Sequence, residues 1–247
     1  MRTGFKEEFL VKWKKYFGKS ELPFVFFYAP ERGDIPLARP PRDWSCLICE
    51  LAKVRQGESL AYHKDNLRCG GARRYLGYEQ GIRKNFEYFL SCGIPGEMEG
   101  ERYLRTPEMV KEMMGKMPPL DMNDQFVIFK RWDKLEESDE PVGIIFFATP
   151  EVLSGLFTLA NVDRVDGKGV TCQFGSGCGS IVYQVIREAE KEDPRAVIGM
   201  FDPSARPCVP RDILSFSLPM KKFGKMVGYM DESFLITGTW KEIRRNL

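Results

Sequence analysis

Residues 169–186 read GVTCQFGSGCGSIVYQVI. The stretch begins as a β-prone run, passes through a glycine-rich turn, and continues with Ile181, Val182, Val185 and Ile186 at helical spacing. Strand, turn and helix in that order predict an α/β fold, with Cys178 where the turn becomes the helix. Glycines at 175, 177 and 179 let backbone N–H groups converge there without Cβ clashes. A helix N-terminus favours negative charge, so a thiol held there is expected to ionise more readily than a free one. Cys178 is therefore a candidate nucleophile or metal ligand, and the turn around it a candidate nest for an anion.

The same grammar recurs upstream in LRCGGARRYLG (67–77), where Cys69 precedes Gly70 and Gly71. Other echoes keep the same order. VGIIFFATP (142–150) repeats FVFFYAP (24–30), and LANV (159–162) repeats LAKV (51–54). SLPMKKFGKM (217–226) resembles RTPEMVKEMMGKM (105–117), and SFLITGTW (233–240) resembles QFVIFKRW (125–132). Ordered echoes of this kind predict an internal duplication. The expected architecture is α/β, with α+β as the alternative. It comprises an N-terminal helix (1–20) and two similar halves, 21–137 and 141–247, related by a pseudo-twofold axis and packed as one unit. Cys69 and Cys178 would then face one cleft between the halves, a common place for a ligand.

Between these landmarks the pattern is conventional. PFVFFYAP (23–30) and IIFF (144–147) read as core strands, and SCLICELAKVRQG (45–57) as a helix with Leu47, Leu51 and Val54 on one face. IRKNFEYFLSCG (82–93) reads as a further helix, and Thr106 with Pro107 opens another. The methionine-rich segments read as core, and Trp132 and Trp240 as packing anchors at strand ends.

A chain of 247 residues with 43% hydrophobic content can bury a sizeable core. The net charge of +2 gives no bulk electrostatic attraction for nucleic acid or for an acidic membrane. No apolar run reaches the length needed to span a bilayer, and the N-terminus lacks the apolar core of a signal peptide. The expected compartment is cytoplasmic, and the expected partner a small molecule or a metal.

The single histidine, His63, excludes two-histidine metal motifs, and no G-x-S-x-G elbow accompanies it. Seven cysteines stand at 46, 49, 69, 92, 172, 178 and 208. In a reducing compartment they read as buried thiols first, metal ligands or catalysts next, and structural disulfides last.

SCLICELAKVRQGE, LRCGGARRYLG, QFGSGCGSI, AVIGMFDPSARPCVP, ILSFSLP and DESFLITGTW together resemble the uncharacterised prokaryotic family called ArCR, from about Leu22 to Arg245. The resemblance implies a recurrent cysteine at Cys46, one before glycine at Cys69 and one after Gly-Ser-Gly at Cys178. It also carries the run Asp202 to Arg206. It implies no established activity, and Cys49, Cys92, Cys172 and Cys208 are not among its regular features.

Three chemistries follow. Thiolates from Cys46, Cys69 and Cys178, completed by Cys49 or Cys208, would hold an iron–sulfur cluster or, as runner-up, zinc. Alternatively Cys178 is the nucleophile of an enzyme acting on a small anionic substrate, with Arg73, Arg74 or Arg206 steadying charge. In the third reading Gly70, Gly71, Gly175, Gly177, Gly179 and Arg206 hold a small ligand without metal. For Asp202 to Arg206 the plainer alternative is a capping turn, with Asp202 accepting local N–H bonds.

Overall fold

The computed structural model describes residues 3–38, 46–122 and 125–247. Helix α1 (Thr3–Phe17) ends at Gly18, whose φ of 65° is the left-handed conformation that closes helices. Strand β1 (Phe24–Ala29) follows. The single helix expected over 45–57 is two short ones, α2 (Leu47–Glu50) and α3 (Ala52–Arg55), with Leu47, Leu51 and Val54 buried as their spacing predicts. Then come β2 (Leu60–Tyr62) and α4 (Gly70–Tyr75). The helix expected over 82–93 shrinks to one turn, α5 (Phe86–Phe89), because Asn85 and Gly93 take positive φ on either side of it.

Helix α6 (Pro107–Gly115) starts as its sequence predicts, the Thr106 side chain accepting the Met109 N–H at 3.3 Å. Strand β3 (Phe126–Arg131) and β4 (Gly143–Ala148) lead to α7 (Pro150–Leu159). The 169–186 stretch forms β5 (Val170–Thr171), a loop, a π-helical turn over Gly179–Tyr183 and α8 (Gln184–Ala189). The chain continues through β6 (Ala196–Gly199), β7 (Leu214–Pro219), α9 (Met220–Tyr229) and α10 (Gly238–Arg244).

The strands form one sheet in the order β2-β3-β1-β4-β7-β6-β5, antiparallel throughout except for the β5/β6 pair. Alternate residues along each strand supply two cores, one on each face. Phe24, Phe26, Phe129, Ile145 and Phe147 pack under α2, α3, α4 and the 179–189 segment. Val25, Phe27, Ile128, Phe146 and Phe216 pack under α1, α7, α9 and α10, among Phe9, Trp13, Phe17, Trp132, Phe223 and Trp240. The molecule is thus an α/β sandwich of helices on both faces of a mixed sheet.

At the middle of the sheet β1 and β4 pair reciprocally, Phe24 opposite Ile145 and Phe26 opposite Gly143. Outward from that junction the two sides match for three strands each, β1-β3-β2 against β4-β7-β6. These pairings do not confirm an internal duplication. Within 125–132, residues Phe126–Arg131 form strand β3, whereas the expected counterpart 233–240 is a 3₁₀ turn leading into α10. Trp132 and Trp240 are both fully buried in the same aromatic core, although only Trp132 follows a strand.

Candidate functional site

Cys178 is positioned by close packing of the turn before it. A Cβ on Gly177 would meet Ala205 Cβ at 3.0 Å, Ile48 Cγ1 at 3.1 Å and Met200 Sδ at 3.2 Å, so glycine fits where a larger residue must displace three neighbours. The Gly177 N–H donates to Asp202 Oδ2 at 3.1 Å, and Ser176 Oγ accepts the Gly179 N–H at 3.1 Å. Asp202, itself buried, uses Oδ1 to accept from the Ser204 N–H and Oγ at 3.0 and 2.8 Å. The capping-turn reading of Asp202 describes this arrangement. The amides at Gly177 and Gly179 therefore already have acceptors within the chain, which removes them from the expected anion nest.

Three thiols from distant parts of the sequence line one cleft: Cys46 before α2, Cys69 before α4 and Cys178 before the π-helical turn. The cleft has a volume of about 630 Å³. Gly70, Gly71, Gly175 and Gly177 line it too, whereas Gly179 and Arg206 do not. Beyond the sulfurs the walls are mostly apolar: Phe86, Leu90, Met98, Met113, Met117 and Phe174. Two polar atoms of lining residues, Tyr103 Oη and Arg73 Nε, are buried without a hydrogen-bond partner, the Glu79 carboxylate standing 3.8 Å from the latter.

A family model described as Uncharacterised ArCR matches residues 11–228. The chain belongs to the ArCR family. No curated protein and no solved structure matches it.

In this ArCR chain several expectations change. Cys208 is not a free ligand: it is disulfide-bonded to Cys49, with the two Cα atoms 4.7 Å apart. A disulfide, ranked last from sequence, is thus present, and it removes both cysteines from the metal set. Among the described residues no group of three or more histidine, cysteine, aspartate or glutamate side chains is disposed to hold a metal ion. Cys178 also departs from expectation in its acidity. It is 6% exposed, and burial, followed by the proximity of Cys69, pushes its thiol well above the ordinary range. Desolvation outweighs the turn's N–H groups because Asp202 and Ser176 already take two of them. Burial raises the Cys46 thiol as well.

Arg206 donates to the carbonyls of Met200, Pro210, Ile213 and Arg211, the last three at 2.9, 2.6 and 3.0 Å, so it ties the 200–213 loop rather than an anion. Arg74 is likewise committed to the carbonyls of Gln80, Gly81 and Met117. Of the three arginines named from sequence, Arg73 and Arg74 line the cleft, and Arg73 Nε makes no hydrogen bond but pairs with the Glu79 carboxylate 3.8 Å away. His63 lies outside the cleft lining, 3.0 Å from Asp65 and packed beside Tyr78 and Phe126. Cys92 and Cys172 are exposed thiols outside the cleft lining.

The outer wall of the ArCR cleft was not legible from the sequence. Met113 and Met117 lie one helical turn apart, in a segment that reads as core, yet both line the cleft while Val110 and Met114 are buried. Tyr103 and Phe174 meet edge-on at 5.7 Å between centroids and close one side. Their only sequence signal is an aromatic side chain in an otherwise polar loop. No helix among the described residues is long and apolar enough to cross a membrane.

Proposed function

We propose that this ArCR protein binds a small, largely apolar molecule in the cleft, oriented through an oxygen acceptor on that molecule and by contact with the cysteine sulfurs of the lining. The observation that carries the reading is the convergence of Cys46, Cys69 and Cys178 on one largely apolar cleft of about 630 Å³. That volume falls in the range typical of small-molecule sites, and apolar walls with a few polar groups are their usual composition. Arg73, 3.8 Å from Glu79, and Tyr103 Oη, beside Ser204 and Glu101, are the polar groups that a ligand bearing a carboxylate, sulfonate or carbonyl would engage. The Cys46 and Cys178 thiols, raised by burial, supply soft, polarisable contacts rather than a standing nucleophile at neutral pH.

The test uses 1-anilinonaphthalene-8-sulfonate, an apolar probe with one anionic group, titrated by fluorescence and calorimetry. One saturable site per chain is expected, weakened at least about fivefold by Arg73→Ala through loss of a charge-assisted hydrogen bond, and abolished by Met117→Glu. Equal probe binding by native protein and Met117→Glu would refute the assignment. Anaerobic purification with iron, zinc and acid-labile sulfide analysis reads the competing proposal. Stoichiometric metal lost in both Cys69→Ser and Cys178→Ser would make the cleft a cluster or zinc site instead.

A further inference from the structure

Resting on the apolar-ligand reading, we propose that residues 82–104 form a cap that opens as a unit to admit the ligand, and that the bound ligand completes the cap's apolar face. Among the described residues, every backbone hydrogen bond that 82–104 donates ends within 82–104. Its two arms are tied by the Glu101 N–H to the Phe89 carbonyl at 2.7 Å and by the Tyr103 N–H to the Leu90 carbonyl at 3.0 Å. The Ile94 N–H donates to the Met98 carbonyl at 2.9 Å. The arms cross so closely that a Cβ on Gly100 would collide with the Ser91 carbonyl and the Gly93 nitrogen. The stretch is therefore tied within itself, while no backbone ladder joins it to the sheet.

The cap has no core of its own. Ile82, Phe86, Phe89, Leu90 and Met98 line the cleft and none of them is buried, Ile82 and Phe89 being 49% and 38% exposed. Within 82–104 only Ser91 and Gly93 are buried. Side chains attach the stretch to its surroundings: Glu87 pairs with the exposed Lys111 of α6 at 3.4 Å, and Tyr103 meets Phe174 edge-on with its Oη beside Ser204. At one end the buried Arg74 guanidinium donates to the carbonyls of Gln80 and Gly81, and at the other Thr106 caps α6. Gly81 itself is exposed, with open space where a Cβ would stand, so the hinge there is unobstructed. A segment with so few buried apolar contacts opens at a much lower free energy than the core strands do. An apolar molecule lying against Ile82, Phe86, Phe89, Leu90 and Met98 takes them out of water only while the cap is closed, so its binding favours closure.

Hydrogen–deuterium exchange read by mass spectrometry tests the cap, with 1-anilinonaphthalene-8-sulfonate as the probe. In the free protein the amides of 82–104 should exchange together, at least about a hundredfold faster than those of β1 and β4. Probe at about ten times its dissociation constant should slow that exchange about tenfold, because only the closed cap holds it. Ile82→Ser combined with Phe89→Ser should leave exchange in β1 and β4 unchanged and weaken the probe at least about fivefold through lost apolar burial. Exchange of 82–104 no faster than that of the strands in the free protein would overturn the cap whether or not the probe binds. Saturable probe binding that leaves exchange in 82–104 unchanged would overturn it while sparing the apolar-ligand reading, and so would undiminished affinity in the folded double variant. A protein that binds no probe at all would overturn both.

Discussion

Cys178 shows how one residue's environment reverses what its position promises. At the end of a glycine turn a thiol is normally acidified, but here Asp202 and Ser176 accept the nearby N–H groups and burial dominates. Only a thiolate is alkylated, so iodoacetamide labelling of Cys178 in the folded protein should be negligible at pH 7 and climb about tenfold per pH unit into the alkaline range. The same shift links to stability. The unfolded chain gives up this proton near the ordinary thiol value of about 8.5, whereas the folded chain holds it to higher pH. The contribution is therefore fully present below about pH 8.5 and lost as pH rises. Urea unfolding from pH 7 to 10 should show a steeper loss for native protein than for Cys178→Ala, and parallel curves would contradict the assignment. The sequence did identify Cys46, Cys69 and Cys178, because cysteines before glycine or a helix start are conspicuous. Burial and proton affinity were not visible there, since both depend on Tyr75, Asp202 and Cys69 arriving from elsewhere.

At the scale of the element, strands were easier to read than their neighbours. FVFFYA and GIIFFA are continuous apolar runs because both of their faces are covered by helices. Their order was not readable, since β1 pairs with β4 across more than a hundred residues and nothing local encodes that choice. Helices failed where left-handed residues cut them short, as Asn85 does before α5. Glycine within a helix is a clearer case of tertiary control. Gly155 lies inside α7, where alanine ordinarily gains about 0.5–1 kcal/mol. A Cβ there would collide with the Trp240 indole and stand 2.9 Å from Phe17 Cε1. Gly155→Ala is expected to destabilise the protein by about 1–3 kcal/mol, the usual cost of overpacking. A rise in the urea midpoint would show instead that the α1, α7 and α10 junction yields.

For the whole molecule, the Cys49–Cys208 disulfide joins α2 to the loop that carries Asp202 and Arg206, closing 159 residues of chain. Such a closure restricts the unfolded state, and its removal typically costs about 2–4 kcal/mol. Reduction by a phosphine should lower the unfolding free energy from urea titration by that amount in native protein and leave Cys49→Ser unchanged. A native midpoint indifferent to the reductant would mean that Arg206 and Asp202 hold the loop unaided.

The opposite face of the sheet is sealed differently, by residues from the two extremes of the described chain. Trp240 packs edge-on against Phe17 at 5.4 Å and donates its indole N–H to the Tyr16 carbonyl, 224 positions away. On a ribosome adding roughly 5–20 residues per second, α1 waits on the order of ten to forty seconds for that partner. Throughout that interval Phe9, Trp13 and Phe17 present a bare aromatic stripe, and the growing chain depends on chaperones, or on speed, to keep it from the wrong company.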